Sequence, residues 1–302
     1  MAHVVTAQQL TAEVTSEARP LAALLADFAS LTKPRLSLQV LITAAGGAWL
    51  SGHTLDLRAW VFLLLGTAGT IAAANTLNCV FERESDLFMP RTATRPLPQG
   101  RLSAPSAVFF AALLTGTSLP LLWWVNPFTC ALGVVALTSY VFVYTPLKRR
   151  THWAMQVGAL PGALPPLMGW VAAAGEVQPG GLSLFAIMAT WQMPHFIAIA
   201  LYRAREYRAA GLHTVVLDKG EDTARLHAFG YTVLQGLAAV SPYFVGLAGP
   251  AYLAIAALLS IAYAAYAFSG WWKKKDAAWA RRFFLLSNVS LLALFVLLGV
   301  KV

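Results

Sequence analysis

The stretch Asn75–Arg101, NTLNCVFERESDLFMPRTATRPLPQGR, packs acids and bases between two long apolar segments of a chain in which only 12% of residues are charged. If the apolar helix before it continues through Asp86, then Asn78, Glu82 and Asp86 fall at i, i+4 and i+8. They drift only ~40° per step and share one helical face. A row of hard oxygen donors suits Mg²⁺, which takes one or two carboxylates and leaves its other positions to water and substrate phosphates. Arg83, Arg91 and Arg95 follow at once, and guanidinium groups are natural partners for the phosphate oxygens that a metal leaves uncovered. The stretch reads as a diphosphate site at a membrane surface. The plainer alternative is a solvated face of i,i+4 pairs beside an Arg-rich loop that only sets topology. Asn78 favours a site, because an amide at the end of an apolar run costs free energy unless it is partnered.

Composition sets the frame for that stretch. The chain has 302 residues, 58% of them hydrophobic, with mean hydropathy +0.62 and formal net charge +9. A soluble domain of this length needs more polar surface, so the chain reads as an all-α polytopic membrane protein. Nine segments are long enough, or nearly so, to span: 36–52, 58–80, 104–124, 127–144, 153–174, 181–201, 226–246, 249–270 and 282–300. Helices satisfy their backbone groups in lipid, and barrel-type alternation is absent. With the N-terminus in the cytoplasm, this threading leaves only Arg58 and Lys301 outside among the 22 Lys and Arg residues, the asymmetry expected of inward-facing loops. The basic balance therefore needs no nucleic acid partner. Cys79 and Cys130 fall within spans and suggest packing rather than a disulfide or metal cluster. No secretory signal precedes the first span, and the N-terminal segment carries Glu13, Glu17 and Asp27, unlike an acid-poor transit peptide. The expected location is a bacterial cytoplasmic (inner) membrane. The expected organisation is an N-terminal cytoplasmic arm over residues 1–30, with an amphipathic helix from Leu21, followed by a transmembrane domain over residues 31–302.

Other stretches add chemistry. Thr32–Arg35, TKPR, sets Lys33 and Arg35 at the start of the first span, either as punctuation of a helix start or as cations near a diphosphate. The fourth span ends in YTPLKRRT, Tyr144–Thr151, whose basic residues Lys148 and Arg149 either anchor its inner end or hold an anionic substrate. The fifth span contains GALPGALPPLMGW, Gly158–Trp170, whose prolines and glycines predict a broken helix lining a cavity. In the sixth, His195 sits within the apolar run, where an ionisable group faces a cavity or a partner. At the end of that span Tyr202, Arg203, Glu206 and Tyr207 repeat the pairing of acid and base at the inner face. The basic, aromatic run Trp271–Phe283 reads as an interfacial anchor.

With these stretches in view, the chain resembles the UbiA superfamily of intramembrane prenyltransferases, and within it the haem-farnesylating branch. The motifs that carry the likeness are TKPR, NCVFERESD at Asn78–Asp86 with Arg91, YTPLKRRT, WQMPHF at Trp191–Phe196, EYRAAG at Glu206–Gly211 and WARRFF at Trp279–Phe284. The resemblance implies nine helices around a central cavity and Mg²⁺-dependent cleavage of farnesyl diphosphate. It also implies transfer of farnesyl to the 2-vinyl group of haem b, with water addition, to give haem O. Asn78, Glu82, Asp86 and Glu206 would hold Mg²⁺. Lys33, Arg91, Lys148 and Arg149 would offset charge on the leaving diphosphate, together with Arg35, Arg95, Tyr202 and Arg203. His195 would contact the haem iron or handle a proton. A haem A synthase or a terminal oxidase assembly would receive the product.

Two departures from the pattern stand out. Glu82 occupies a position where an aspartate is expected, which lengthens a metal ligand by one methylene. After Glu206 the chain reads GLHTVVLDKG, with His213 and Val216 where two prolines are expected, so the stiffness of a loop covering the site is in question. Two alternatives compete: prenylation of another aromatic acceptor, such as a quinone precursor or a chlorophyllide, and a membrane transporter built around the fifth helix and His195.

Overall fold

A computed structural model describes residues 20–300. Residues 1–19, the greater part of the expected N-terminal arm, and Lys301 lie outside the described residues. Within them the chain is helical, with no strand. The helices are α1 (Leu21–Leu31), α2 (Pro34–Leu50), α3 (Leu57–Glu82), α4 (Ala104–Val125), α5 (Pro127–Leu147), α6 (Ala154–Ala174), α7 (Pro179–Tyr202), α8 (Ala204–Ala209), α9 (Val215–Lys219), α10 (Glu221–Phe244), α11 (Pro250–Trp272) and α12 (Ala277–Gly299). Seven of these described helices, α3 to α7, α11 and α12, are long and apolar enough to cross a membrane. The other two expected spans are also helical. α2 has 17 residues, at the short end of spanning length, and α10 opens on a charged turn containing Glu221, Asp222 and Arg225. The protein is a multi-pass membrane protein whose outer surface carries large apolar side chains such as Phe109, Trp124, Ile261 and Leu292, as lipid requires.

Capping chemistry sets several helix starts. Asp56, Ser103, Asn126 and Asp276 each accept a hydrogen bond from the backbone N–H three residues on, which satisfies a donor the first turn cannot pair. α6 is the central element: 72% of its window is buried, against 17% for α4. The expected break in this helix is absent, since Ala154–Ala174 runs without interruption through Pro161, Pro165 and Pro166. The surrounding helices cover this backbone, and Asn126 Nδ2 donates to the Val171 carbonyl near its end at 2.9 Å. The glycines serve approach rather than breakage. A Cβ on Gly169 would collide with the Ala44 carbonyl, and one on Gly47 with the Pro166 carbonyl, so α2 and α6 meet backbone to backbone.

α1 does not hang free of the body. Leu31 is buried in a cluster with Cys79, Leu97, Leu102 and Ala107, and Leu24 and Phe28 pack against it. Asp27 is paired with Arg101 at 3.1 Å. Asn75 Nδ2 reaches the Thr32 carbonyl at 3.1 Å, which pins the α1–α2 junction to α3.

The α2–α6 contact yields a prediction. Gly169→Val should lower the midpoint of thermal unfolding in detergent and broaden the size-exclusion profile, with a cost at or above the ~1–3 kcal/mol of ordinary overpacking. Gly116→Ala, where nothing lies within 4 Å of an added Cβ, should be neutral or slightly stabilising in the same assay.

Candidate active site

The inner ends of α3, α5 and α7 and the start of α2 enclose a polar cavity of about 440 Å³. It is lined by Lys33, Asn78, Glu82, Asp86, Arg91, Arg95, Lys148, Tyr202 and Arg203, all expected from sequence, and by Ser85, Thr92, Tyr144, Tyr207, His213 and Thr214.

The three oxygen donors do not share one helix. α3 ends at Glu82, and Asp86 lies on a 3₁₀ turn, Ser85–Phe88. Pro90 lacks the N–H that an α-helix would offer the Asp86 carbonyl. That carbonyl accepts instead from Met89 N–H at 3.3 Å and from Thr92 Oγ1 at 2.8 Å. The turn folds Asp86 back toward the cavity, where it is fully buried.

Each donor meets one cation from a different element. Lys33 Nζ donates to Asn78 Oδ1 at 2.6 Å, Lys148 Nζ pairs with Glu82 Oε1 at 2.6 Å, and Arg95 Nη1 pairs with Asp86 Oδ2 at 2.7 Å. Asn78 Nδ2 donates in turn to Thr145 Oγ1 at 3.2 Å. Lys33 takes a left-handed backbone conformation, φ +50°, directly before Pro34. A non-glycine residue held there is strained, and such strain concentrates at functional positions. The two lysines differ electrostatically. Burial pushes the Lys33 ammonium below the ordinary lysine range, because its near partner is a neutral amide. Burial also opposes the charge on Lys148, but the Tyr144, Glu82 and Tyr140 side chains outweigh it and hold its pKa above that range. The Lys148 ammonium also stands 4.5 Å from the centre of the Tyr144 ring.

One atom in this cluster has no partner. Asp86 Oδ1 is buried without a hydrogen bond among the described residues, an arrangement that costs free energy unless a ligand completes it. Among the described residues, no three His, Cys, Asp or Glu side chains converge on a metal position. Two carboxylates and an amide, with one carboxylate oxygen of Asp86 left unsatisfied, fit a hard cation that keeps sites for water and phosphate oxygen, as Mg²⁺ does.

Four sequence expectations are not brought into the cavity. Glu206 is held by Arg203 at 3.0 Å on α8 and does not line it. Arg35 is exposed, two residues on from the inward-facing Lys33. Arg149 binds the Phe81 carbonyl at 3.3 Å and Ser85 Oγ at 3.1 Å, closing the unsatisfied end of α3. His195 is packed between the Trp191 and Phe284 rings at 4.6 Å each, and its Nδ1 meets Ser287 Oγ at 2.9 Å. It has the partner that a histidine inside a span needs, and it does not line the cavity. Thr145 and Tyr144 escaped the sequence reading, although both lie in YTPLKRRT within a turn of Lys148.

A second, apolar cavity of about 270 Å³ adjoins the first. Leu36, Tyr140, Tyr144 and Phe196 line both. Its walls include Thr67, Ile71 and Ala74 of α3 and Gly158, Pro161, Gly162, Pro165 and Met168 of α6. Here the expectation of a cavity along α6 holds although the helix is unbroken. A π-helical turn at Ser139–Tyr144 turns Tyr140 and Tyr144 to the junction, and Gly158 makes room for the Tyr144 ring, 2.5 Å from where a Cβ would stand.

With this geometry in place, comparison places the chain among known proteins. The profile of the UbiA prenyltransferase family matches residues 40–289. A protoheme IX farnesyltransferase of Myxococcus xanthus (strain DK1622) is 49% identical over 288 residues, covering 95% of this chain and 98% of that protein. One from Anaeromyxobacter sp. (strain Fw109-5) is 46% identical, covering 90% and 92%. The fold is similar to a digeranylgeranylglyceryl phosphate synthase structure, TM-score 0.79 at 18% identity, covering 92% of this chain and 98% of that one. It is also similar to a UbiA homologue from Archaeoglobus fulgidus bound to GPP and Mg²⁺, TM-score 0.68 at 20% identity, covering 90% and 99%.

The different placements of the two neighbouring cations can be tested. Lys148→Ala should weaken binding of inorganic diphosphate at least about tenfold by isothermal titration calorimetry, because it strips the counter-charge from Glu82. Arg149→Ala should leave that affinity within about twofold and instead cost about 1 kcal/mol of thermal stability, as loss of a helix cap does.

Proposed function

This chain belongs to the UbiA prenyltransferase family, and from that premise we propose that it transfers a farnesyl group from farnesyl diphosphate to the 2-vinyl group of protohaem IX, with addition of water, giving haem O. The relatives that share nearly half of its residues over almost its whole length are protoheme IX farnesyltransferases. The structural observation that carries the reading is the union of a charged compartment with an apolar one through Leu36, Tyr140, Tyr144 and Phe196. A prenyl diphosphate has the same two parts.

The dimensions agree with a chain of three isoprene units. From Asn78 to Thr67 is eleven residues of α3, about 16 Å at 1.5 Å per residue. Three single bonds of an extended chain reach about 3.5 Å, so the twelve-carbon farnesyl main chain spans about 13 Å.

In this reading Asn78, Glu82 and Asp86 hold Mg²⁺, with Asp86 Oδ1 as the ligand atom that the protein leaves unsatisfied. Bound there, the ion would supply charge to the departing diphosphate. Lys33, Arg91, Arg95 and Lys148 hold diphosphate oxygens and stabilise the negative charge that grows as the C1–O bond ionises. The bonding pair leaves with diphosphate, and the walls of the apolar chamber keep water from the allylic cation. The terminal vinyl carbon of haem attacks C1. Water then captures the cation left on the porphyrin side chain and gives up a proton to solvent, which forms the hydroxyethylfarnesyl group. Glu206 acts at one remove by fixing Arg203. The bacterial relatives support a bacterial cytoplasmic membrane as the location, and a haem A synthase or a terminal oxidase assembly is the expected recipient of the product.

Haems extracted after incubation with haem b, farnesyl diphosphate and Mg²⁺ should show the hydroxyethylfarnesyl adduct by mass spectrometry. Asp86→Ala should abolish it, a loss of at least about 10³-fold, in a protein that stays monodisperse. Glu206→Gln should retain metal affinity, read by Mn²⁺ electron paramagnetic resonance. Unchanged haem with Asp86-dependent diphosphate release would remove haem as the acceptor. Labelled substrate carried across vesicles at unchanged mass would replace the enzyme with a transporter.

A further inference from the structure

Residues 212–219 form a short segment whose first residues border the polar cavity. Leu212, His213 and Thr214 line the cavity. Gly211 and Gly220 bound the segment, both with positive φ, +66° and +87°, and nothing stands within 4 Å of a Cβ at either. Two such glycines are suited to act as hinges. On the apolar side Val215 and Val216 are buried in the cluster that includes Ile197, Ala198 and Phe283. On the polar side one carboxylate takes two histidines: Asp218 Oδ2 lies 3.1 Å from His152 Nδ1, and Asp218 Oδ1 lies 3.1 Å from His213 Nδ1. His152 belongs to the α5–α6 connection, so this clasp joins that connection to α9, 66 residues on in sequence. A third tie runs in parallel, from the His213 N–H to the Lys148 carbonyl at 2.9 Å. The residue that holds Glu82 therefore also holds the segment.

We propose that the His152–Asp218–His213 clasp positions residues 212–219 at the border of the cavity and thereby decides what captures the farnesyl cation. The inference rests on the prenyl-transfer reading above. Once the C1–O bond has broken, the cation has two possible fates. A vinyl carbon forms the C–C bond of the product, or a water oxygen bonds to carbon, loses a proton to solvent and leaves farnesol. The second fate needs only water at the mouth of the cavity, and a segment released from its clasp admits it. Asp218, His152 and His213 are positioning residues in this scheme, and the loosened protein becomes a prenyl diphosphate hydrolase. The chain lacks the two prolines expected in this loop, and at one of those positions His213 supplies a side-chain tie to Asp218 instead.

The purified full chain in lipid nanodiscs, given labelled farnesyl diphosphate, haem b and Mg²⁺, tests the proposal through two readouts. The first is the ratio of farnesol to farnesylated haem. The second is hydrogen exchange of the amides of 212–219. Asp218→Asn and His152→Ala should each raise the ratio about fivefold or more and speed exchange over the segment about tenfold, while total diphosphate release stays within about threefold of the parent protein. Asp218→Glu should restore the ratio in part. An unchanged ratio with unchanged exchange in Asp218→Asn overturns the proposal, as does loss of diphosphate release in step with farnesylation, which marks a purely structural role. If the parent protein releases diphosphate but leaves haem unmodified, the acceptor assignment above has failed, and the exchange of 212–219 still decides the clasp.

Discussion

Burying carboxylates is costly, and the inner end of this bundle is arranged around meeting that cost. Asp86 is fully enclosed and Glu82 nearly so, in surroundings where an unpaired charge would lose several kcal/mol of hydration. Their counter-charges do not come from neighbours in sequence. Lys148 arrives from the end of α5 and Arg95 from the loop beyond the 3₁₀ turn, while Lys33 reaches Asn78 from the start of α2. Three pairings therefore hold four segments at one point. Of these, the Glu82–Lys148 and Asp86–Arg95 ion pairs each leave a carboxylate stranded in the interior if the cation is removed. The same pairings leave room for a ligand. Asp86 Oδ1 remains unsatisfied, and Arg91 lines the cavity with no ion pair among the described residues.

The apolar half of the site depends on a different constraint. Gly47 and Gly169 let α2 and α6 touch along their backbones, while Gly158 and Gly162 clear space for Tyr144 and Gln192. Small residues thus serve two ends on one helix: close approach on one side and a chamber on the other. The π-helical turn in α5 adds to this by turning both Tyr140 and Tyr144 to the junction of the two compartments. An oily chamber that opens onto a charged mouth is what a prenyl diphosphate requires. It also separates the reacting carbon from bulk water, which is where the His–Asp–His clasp bears on the outcome of the reaction.

Much of the site was legible from residue type and spacing. Asn78, Glu82 and Asp86 were picked out as oxygen donors, and Lys33, Arg91, Arg95, Lys148, Tyr202 and Arg203 as their surroundings. All of them line one cavity. The reason given for the first three was only half right. A continuous helix was expected, but Pro90 removes the donor that Asp86 would need, and a tighter turn delivers the carboxylate by another route. Residue type did not separate Lys33 from Arg35, which are two residues apart and equally basic. A left-handed backbone at Lys33 sends it inward, and a dihedral angle is invisible in composition. For Arg149 and His195 the structure bears out the plainer of the two readings offered, an anchor at a helix end and a partnered histidine. Each side chain has a partner distant in sequence, the end of α3 for one and Ser287 for the other, that sequence separation concealed.

The sequence by itself determined that the chain lies in a membrane, that it is helical throughout its spans, which ends carry charge, and which residues supply hard oxygen and cationic groups. Those properties follow from local hydropathy and side-chain chemistry, which each residue carries wherever it is placed. Tertiary structure alone decided which cation meets which carboxylate, that Glu206 pairs with Arg203 and does not line the cavity, that α6 runs unbroken, and that His152 and His213 share Asp218. Such choices depend on distances between segments tens of residues apart. They are fixed by packing and by the demand that every buried charge find a partner, and neither is written in the order of the residues.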